Sequence, residues 1–466
     1  MPVANIQHFV EATKPCETWR AIVIAETRFW AVVLLGLGAI VSAGPAYSLP
    51  LPMPAGFAWK QLVPADLFFL LLLVACALPG RPRFRRPRRG VWMPAAALLG
   101  AMATAVVASP RPAAGVPDLL RFAYSLVVFA LVACLDLTPA HLRRFAIVHS
   151  AAALVLAVVV GMAWLRVRFF GIPSALVGVS ADPAWSLGSS ARAVGPFAHP
   201  TTFAVFLHAA FFYVGYLLLV ERRRVVRTLA WAAGAVMVVI APLTYSRAIF
   251  APLVSGAVLS SRWMTRPRDA VRTTLLGVAA AASLALLIVT HVWNVVPVSF
   301  HLDRESGFLT VRLYAEAEER FLLYRAALRM FADAPLVGVG PGLFAENLKH
   351  YVTLEEFERA GRYFHPDRDA LVARWRDGPD PHSSWFGWLA RSGLIGIVGI
   401  GLVLGVTLRT LWRRGRGVDD AAIAARTAAA FLVGFIALGF IVEIVHLKFF
   451  WLFLGLAVAA SDRESA

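Results

Sequence analysis

Long apolar segments without a polar face alternate with short arginine-rich or proline- and glycine-rich breaks along most of the chain. One example is "LFFLLLLVACAL" at 67–78. The segments run for about 17 to 22 residues, which is the length of an α-helix that crosses a bilayer, whereas barrel strands would alternate polar and apolar positions. The pattern predicts an all-α integral membrane protein with about 12 transmembrane helices. The predicted spans are 29–46, 63–80, 91–109, 118–136, 145–164, 202–220, 228–244, 246–260, 273–294, 393–410, 427–443 and 448–461.

Composition agrees that lipid is the main solvent of this chain. Hydrophobic residues make up 59% of it, charged residues only 16%, and the mean hydropathy is +0.69. A net charge of +17 would suit a nucleic-acid-binding protein, but the arginines stand in short clusters beside apolar segments, so no nucleic-acid partner is expected. Cys16, Cys76 and Cys134 form no CxxC pair, and the sequence predicts neither a disulfide framework nor a zinc site.

Positive charge predicts the orientation of the spans. The arginine-rich connections fall on one side of the predicted bilayer, and the positive-inside rule makes that side cytoplasmic, with both termini inside. The N-terminal residues lack the early apolar core of a cleavable signal, so the first span is expected to be retained. The arginine-rich connections are 81–90, 137–144, 221–227, 262–272 and 409–426.

The predicted organisation has three parts: spans 1–9 within 1–295, one large outer loop at 296–392 between helices 9 and 10, and spans 10–12 within 393–466. Residues 296–383 hold 11 Lys and Arg against 14 Asp and Glu, a balance that favours a folded loop. Aromatic and apolar residues recur at helical spacing in its middle, which predicts an amphipathic helix along the membrane surface. These residues are Phe321, Tyr324, Leu328 and Phe331.

Arginines at the outer ends of spans are the first candidates for chemistry. Arg247, in "YSRAIF", is either a snorkelling side chain or a fixed cation for an anionic headgroup. Arg320, followed at helical spacing by Arg325 and Arg329, belongs either to a solvated helix face or to a phosphate site, because guanidinium groups bind phosphate oxygens bidentately. Spacing alone leaves both interpretations open.

Three further strings contain polar residues beside spans. His382, in "PDPHSSWFGW", is either a structural histidine or a base for a sugar hydroxyl. Arg192 and His199, in "ARAVGPFAHPTTFAVFL", form either a polar turn or part of a site. The glycine-rich "PLVGVGPGLF" has no preceding strand and no GK[ST], which indicates a tight turn rather than a nucleotide loop.

Taken together, "RAVGPFAHPTTFA", "YSRAIF", "RFLLYRAALRMFADAPLVGVGPGLF" and "HSSWFGWLARSGLIG" resemble the O-antigen ligase and O-antigen polymerase superfamily, which are multispan C-type glycosyltransferases that use undecaprenyl-diphosphate glycans. The resemblance runs in motif order from about Arg192 to Leu456. It implies a multi-pass protein of the bacterial inner membrane, with a large, partly helical periplasmic loop and a periplasmic active site. It also implies a metal-independent reaction without a cofactor. The chain departs from the family pattern at Ser383, at Tyr324 and in the polar stretch 345–381.

Carried over position by position, the resemblance implies that Arg247 and Arg320 bind the diphosphate of the lipid-linked donor, with Arg192 as a further cation. It implies that His382 activates the acceptor hydroxyl. Additional candidates are Tyr324, Arg325, His199 and His365, the last as a rival base.

Three functions follow from this resemblance and from the span pattern. The first is an inverting ligase that moves a glycan from undecaprenyl diphosphate to a lipid A core sugar or a similar glycolipid acceptor. The alternative is a polymerase that joins undecaprenyl-diphosphate-linked repeat units of O-antigen or exopolysaccharide. A lipid or glycan transporter is more distant, because Asp66 and Glu443 are near the ends of predicted spans rather than at the midplane, where transporters place ionisable residues.

Overall fold

The computed structural model describes residues 23–24, 26–38, 49–50, 61–62, 64–77, 89–135, 137–170, 178–180, 192–197, 199–244, 246, 248, 250–260, 298–302, 309–313, 317–361 and 368–461. The helices are α1 (26–38), α2 (Pro64–Ala77), α3 (Arg89–Val107), α4 (Pro112–Cys134), α5 (Pro139–Phe170), α6 (Pro200–Val220), α7 (Arg224–Ile240), α8 (Phe250–Ser260), α9 (Ala317–Asp333), α10 (Phe344–Tyr351), α11 (Leu354–Gly361), α12 (Arg368–Asp377), α13 (Ser384–Arg414), α14 (Asp420–Leu438) and α15 (Lys448–Ser461). A 3₁₀ turn, Ala241–Thr244, extends α7.

The strands form short antiparallel hairpins beside the helices. These pair β1 (Leu49–Pro50) with β2 (Gln61–Leu62), β3 (Gly178–Ser180) with β4 (Arg192–Gly195), and β5 (Val298–Leu302) with β6 (Leu309–Leu313).

The prediction of an all-α membrane protein is confirmed. Within the described ranges, α4, α5, α6, α7 with its 3₁₀ turn, α13 and α14 are long and apolar enough to cross a membrane, and α2, α3, α8 and α15 contain shorter apolar helices. The predicted span at 273–294 lies outside the described residues. The number twelve, the division into three parts and the orientation therefore stay predictions.

Helix α6 lies at the centre of the bundle. Its side chains are buried along nearly the whole length, and Phe212 packs edge-on against Phe431 of α14 and Phe453 of α15, with ring centroids 5.7 and 4.9 Å apart. The outer helices instead expose large apolar side chains such as Val155 and Leu402. Apolar side chains on that surface are expected of a protein whose solvent is lipid.

The two ends of the bundle differ in charge. At one end Arg143, near the start of α5, pairs with Glu221 at the end of α6, and the arginine-rich connection after α13 is at the same end. At the opposite end α6 and α13 begin and α14 ends. We call this second end the site end, because most of the candidate residues lie there.

Helices α9 to α12 form a separate small core at the site end. Leu323, Ala327 and Met330 of α9 pack inside it with Phe344 and Phe357. The opposite face of α9 exposes the apolar side chains of Phe321 and Leu328, so this helix has apolar residues on both faces, and its predicted position along the membrane surface stays a prediction.

A kink at Gly393 (φ +59°) divides α13 into a short first segment and a long apolar one. The glycine-rich turn after α9 closes onto this kink, where the amides of Val339 and Gly340 donate to the carbonyls of Ala390 and Arg391 at 2.8 and 3.1 Å. Those two amides therefore serve packing of the turn against α13 and not the binding of phosphate.

Candidate functional site

Helix α9 presents Arg320 and Tyr324 to the same neighbour. The guanidinium Nη1 of Arg320 donates to the carbonyl of Ile441 at 3.1 Å, and the hydroxyl of Tyr324 donates to the carbonyl of Phe440 at 3.0 Å. The ring of Tyr324 also stacks on Phe386 of α13, with centroids 4.5 Å apart. Since the two residues are one turn apart on α9, a single face of this helix carries a fixed cation and an aromatic hydroxyl.

His382 lies immediately before α13 in a strained conformation. Its φ is +52°, and no other non-glycine residue among the described residues has a positive φ. Ser383 caps the helix, since its side chain accepts from the amide of Phe386 at 3.3 Å. Left-handed backbone at a non-glycine residue costs free energy and persists where neighbouring contacts enforce it.

Those contacts come from the segment between α14 and α15, residues 439–447, which we call the α14–α15 turn. The amide of Ser384 donates to the carbonyl of Gly439 at 2.8 Å, and the Ser383 hydroxyl donates to the same carbonyl at 3.0 Å. The Ser384 hydroxyl donates to the carbonyl of Val442 at 3.2 Å and accepts from the amide of Ile444 at 2.7 Å.

Four consecutive carbonyls of this turn thus accept hydrogen bonds from the two candidate segments. Gly439 and Val442 hold the start of α13, and Phe440 and Ile441 hold α9. Carbonyl groups released by the end of a helix need partners, and here those partners are candidate site residues or their neighbours. The turn therefore fixes Arg320, Tyr324 and the His382 segment relative to one another.

The turn exists because α14 ends earlier than its hydrophobicity suggests. The sequence predicts a span to 443, whereas the helix ends at Leu438, so this predicted boundary is wrong. A β-carbon at Gly439 would lie 2.5 Å from the indole ring of Trp385, whose Nε1 donates to the carbonyl of Ile436 at 2.8 Å. Only glycine lets α13 approach so closely at this point.

Ionisable side chains from three parts of the chain meet beside the turn. Arg391 of α13 pairs with Asp380, and its Nη1 lies 3.7 Å from Oε2 of Glu443. Oε1 of Glu443 lies 3.8 Å from Nε2 of His446. Asp118 and Arg121 of α4 contribute to the electrostatic field there. Burial raises the pKa of Glu443 to about 8 against the attraction of Arg391, and burial, together with Arg391, lowers the pKa of His446 to about 4.

Arg192 belongs to a second group at the site end. It is buried in β4, and its Nε donates to the carbonyl of Thr244 at 3.0 Å. The Thr244 hydroxyl in turn accepts from the amide of Ser246 at 3.2 Å, so Arg192 braces the segment that immediately precedes Arg247 in the sequence. Arg247 itself lies outside the described residues.

An aromatic chain connects this second group with the α14–α15 turn. Phe197, just after β4, packs on Phe206 of α6 with centroids 5.4 Å apart, and Phe206 meets Phe449 at the start of α15 at 6.4 Å. Both groups thus border the same end of the bundle.

The remaining predicted candidates have local roles or lie outside the description. His199 caps α6, since its Nδ1 accepts from the amide of Thr201 at 3.0 Å. Arg325 points to α11, where it pairs with Glu356 at 2.8 Å on the exposed surface. His365 lies outside the described residues. In the part of the chain that the structure describes, no three His, Cys, Asp or Glu side chains are grouped to hold a metal ion.

Sequence reasoning missed the α14–α15 turn, Ser384, Arg391 and Glu443 as parts of the site. The available signal was "VEIVHLK" at 442–448, where charged residues interrupt an apolar region next to the end of a span. That signal marks a polar outer end, but only the fold shows which loop residues it meets.

Comparison with known families gives this geometry a context. Residues 232–401 match the family model described as O-antigen ligase. This segment of the chain is similar to that family. It includes Arg247, Arg320 and His382, whereas Arg192 and the α14–α15 turn lie outside the matched residues. No curated protein matches the chain. The resemblance seen in the sequence is thus confirmed at the level of the superfamily, and an O-antigen ligase family domain supports a membrane enzyme of the ligase or polymerase type.

Proposed function

We propose that this protein is a ligase-type glycosyltransferase that moves a glycan from undecaprenyl diphosphate to an acceptor sugar, with the lipid A core as the acceptor, at the periplasmic face of the inner membrane. The observation that carries the proposal is the α14–α15 turn, which holds the helix of Arg320 and the segment of His382 through adjacent carbonyls. A cation and a base held in fixed register are what displacement of a diphosphate leaving group requires.

The proposed reaction is a direct displacement. The acceptor hydroxyl oxygen attacks the anomeric carbon of the donor glycan and forms the new glycosidic bond. The bond between that carbon and the diphosphate oxygen breaks, and the electron pair leaves with undecaprenyl diphosphate. The hydroxyl proton passes to His382, which therefore acts as the general base. Attack opposite the leaving group inverts the anomeric configuration.

Arginines suit the leaving group in this reaction. Negative charge grows on the diphosphate oxygens as the bond breaks, and a guanidinium group offers several N–H donors in a planar fork. Arg320 supplies such a fork beside the α14–α15 turn, and Arg192 braces Thr244, three residues before Arg247 in the sequence. In this proposal the donor diphosphate is bound between these two groups at the site end.

The test is reconstituted transfer with purified donor glycolipid and acceptor, comparing wild type with His382→Ala and Arg320→Lys. We expect His382→Ala to reduce transfer by about 10²-fold or more, as removal of a general base does. Arg320→Lys is expected to lose activity as well, because an ammonium group does not reproduce the bidentate fork. His350→Ala and Arg359→Lys, at exposed positions of the loop helices, are the matched controls.

The surface glycans and lipid-linked intermediates of cells that lack the gene distinguish a ligase from a polymerase. Accumulation of long lipid-linked chains with an unsubstituted lipid A core supports the ligase. Single repeats in place of polymer would instead identify a polymerase. Near-normal transfer by His382→Ala would remove this residue as the base, and unchanged glycan pools would overturn the glycosyltransferase itself.

A further inference from the structure

Glu443 has an unusual position for a carboxyl group. Only 14% of its side chain is exposed, and its Oε2 is buried without a hydrogen-bond partner among the described residues. The nearest opposite charge, on Arg391, is 3.7 Å away and is already hydrogen-bonded to Asp380. A buried carboxylate without adequate pairing costs several kcal/mol, so the neutral acid is favoured at this position.

The surroundings of Glu443 strengthen that preference. Asp380 and Asp118 contribute negative charge, which disfavours a further carboxylate. Arg391 and Arg121 contribute positive charge, but Arg391 is shared between Asp380 and Glu443. His446 is neutral near pH 7, because burial lowers its pKa to about 4. Burial raises the pKa of Glu443 well above the ordinary value of a glutamate, which favours the neutral acid at this position.

Glu443 is connected to the candidate base through Ser384. The Ser384 hydroxyl lies 3.4 Å from Oε1 of Glu443. The same hydroxyl donates to the carbonyl of Val442 and accepts from the amide of Ile444. Ser384 is two residues after His382, whose left-handed backbone depends on this anchoring. Gly387, one turn further along α13, leaves room for the carboxyl group, since a β-carbon there would lie 3.3 Å from Oε2.

We propose that Glu443 is a positioning residue for His382, and that it acts as a neutral carboxylic acid which holds Ser384 and the α14–α15 turn in register. The proposal rests on the proposed function, because it assigns Glu443 a role in placing the base of that reaction. The single hydroxyl proton of Ser384 is donated to the carbonyl of Val442, so the neutral acid donates its own proton to Ser384 Oγ. An ionised Glu443 has no proton to donate and competes with Val442 for the proton of Ser384, which loosens the turn and displaces His382.

The dependence on pH follows from the raised pKa. The folded protein holds the Glu443 proton more tightly than the unfolded chain, whose glutamates have their ordinary value of about 4.5. This group therefore lowers stability progressively as pH rises from about 4.5 to about 8, and its effect is constant above that range. Transfer activity is expected to fall as pH rises through about 8, where Glu443 loses its proton.

The decisive experiment measures transfer across pH for wild type, Glu443→Gln, Glu443→Ala and Glu355→Gln. Glutamine places a neutral amide where the acid stands. We therefore expect the transfer activity of Glu443→Gln at neutral pH to lie within about threefold of wild type, a difference below 1 kcal/mol. We also expect this variant to show no fall in transfer activity near pH 8. Alanine removes the contact and should reduce transfer by about tenfold or more, equivalent to 1.4 kcal/mol. Glu355 is highly exposed on α11, and its Gln variant should reproduce the wild-type profile.

Two results would overturn the proposal: a Glu443→Gln protein as inactive as His382→Ala, or one that keeps the alkaline fall. Thermal unfolding of the same proteins across pH gives a second readout that does not depend on transfer. We expect the stability of Glu443→Gln relative to wild type to grow from about pH 5 to pH 8. A constant difference would show that Glu443 is not held neutral. Absence of transfer by wild type would contradict the proposed function, while the unfolding profile would still decide the state of Glu443.

Discussion

Glu221 is buried and Glu443 is largely buried, each at one end of the helix bundle, yet their environments are opposite. At the arginine-rich end, Arg143 binds both oxygens of Glu221 at 2.7 Å, and Arg223 adds further hydrogen bonds. At the site end, Glu443 has one shared arginine at 3.7 Å. Burial raises the pKa of Glu221, but hydrogen bonds from its arginine partners lower the pKa by more, and the result is about 2. For Glu443, burial outweighs the attraction of Arg391 and raises the pKa to about 8.

The difference separates a structural carboxylate from a functional candidate. A buried ion pair with good geometry balances its desolvation and ties two helices together, as Glu221 ties the end of α6 to the start of α5. A buried carboxyl group with weak pairing keeps its proton, and such perturbed groups cluster at sites of chemistry. Burial of an acid alone does not identify a site; the quality of its pairing does.

The largest expected effect comes from breaking the well-paired carboxylate. Arg143→Met should destabilise the protein by roughly 2–3 kcal/mol, because the buried Glu221 then keeps Arg223 as its arginine partner and loses Arg143. This loss is smaller than the usual cost of breaking a fully buried ion pair, because one third of the Arg143 side chain is exposed to solvent. The pKa of Glu221 should rise, which makes it resemble Glu443. Thermal unfolding in detergent measures the loss.

Arg144→Met is the matched control for that variant. Arg144 is the neighbouring residue and pairs with Glu26 on the exposed surface, so its loss should cost less than about 1 kcal/mol. Equal destabilisation by the two variants would contradict the distinction drawn between Glu221 and an ordinary surface pair.

A smaller effect, mainly on activity, is expected at the junction beside Glu443. Ser384→Ala removes the hydroxyl that joins Val442 and Ile444 and leaves the buried amide of Ile444 without this acceptor, at a cost of about 1–3 kcal/mol. Transfer should fall by about tenfold or more, because His382 is no longer anchored. Reconstituted transfer and thermal unfolding measure the two effects separately.

Thr410→Ala is the control, because the Thr410 hydroxyl donates to the carbonyl of Val406 within α13 itself, near the end of the helix that is far from His382. If Ser384→Ala transferred as fast as Thr410→Ala, the α14–α15 turn would not control the position of the base.

Much of the helical framework could be predicted from the sequence because lipid imposes a strong pattern. Each predicted span that falls within the described residues overlaps a helix, since an apolar segment of that length satisfies its backbone only as a helix. The end of α14 was misplaced because 439–442 is as apolar as the helix before it. What ends the helix there is a tertiary contact, the approach of Trp385 to Gly439, and local hydrophobicity contains no information about it.

The candidate site was predictable only in part, for a related reason. His382 and Arg320 stand in distinctive strings, so their candidacy could be read from the sequence. Their common support could not, because Arg320 and Ile441 are 121 positions apart and the acceptor is a backbone carbonyl that any residue supplies. Likewise, Glu443 and Glu221 look alike as isolated acids near the ends of apolar segments. Their different partners are set by packing alone.

The smallest expected effect is at the periphery of the site end, where Tyr324→Phe keeps the stack on Phe386 and removes the hydrogen bond to Phe440. A single neutral hydrogen bond contributes about 1 kcal/mol, so transfer should fall only about threefold to fivefold, with little change in thermal stability. Tyr351→Phe removes a hydroxyl contact to Asp333 on the exposed side of α9 and should leave transfer unchanged. If Tyr324→Phe reduced transfer as much as Ser384→Ala does, the Tyr324 hydroxyl would contact the reactants directly. Its hydrogen bond to the α14–α15 turn would then be present only in the absence of substrate.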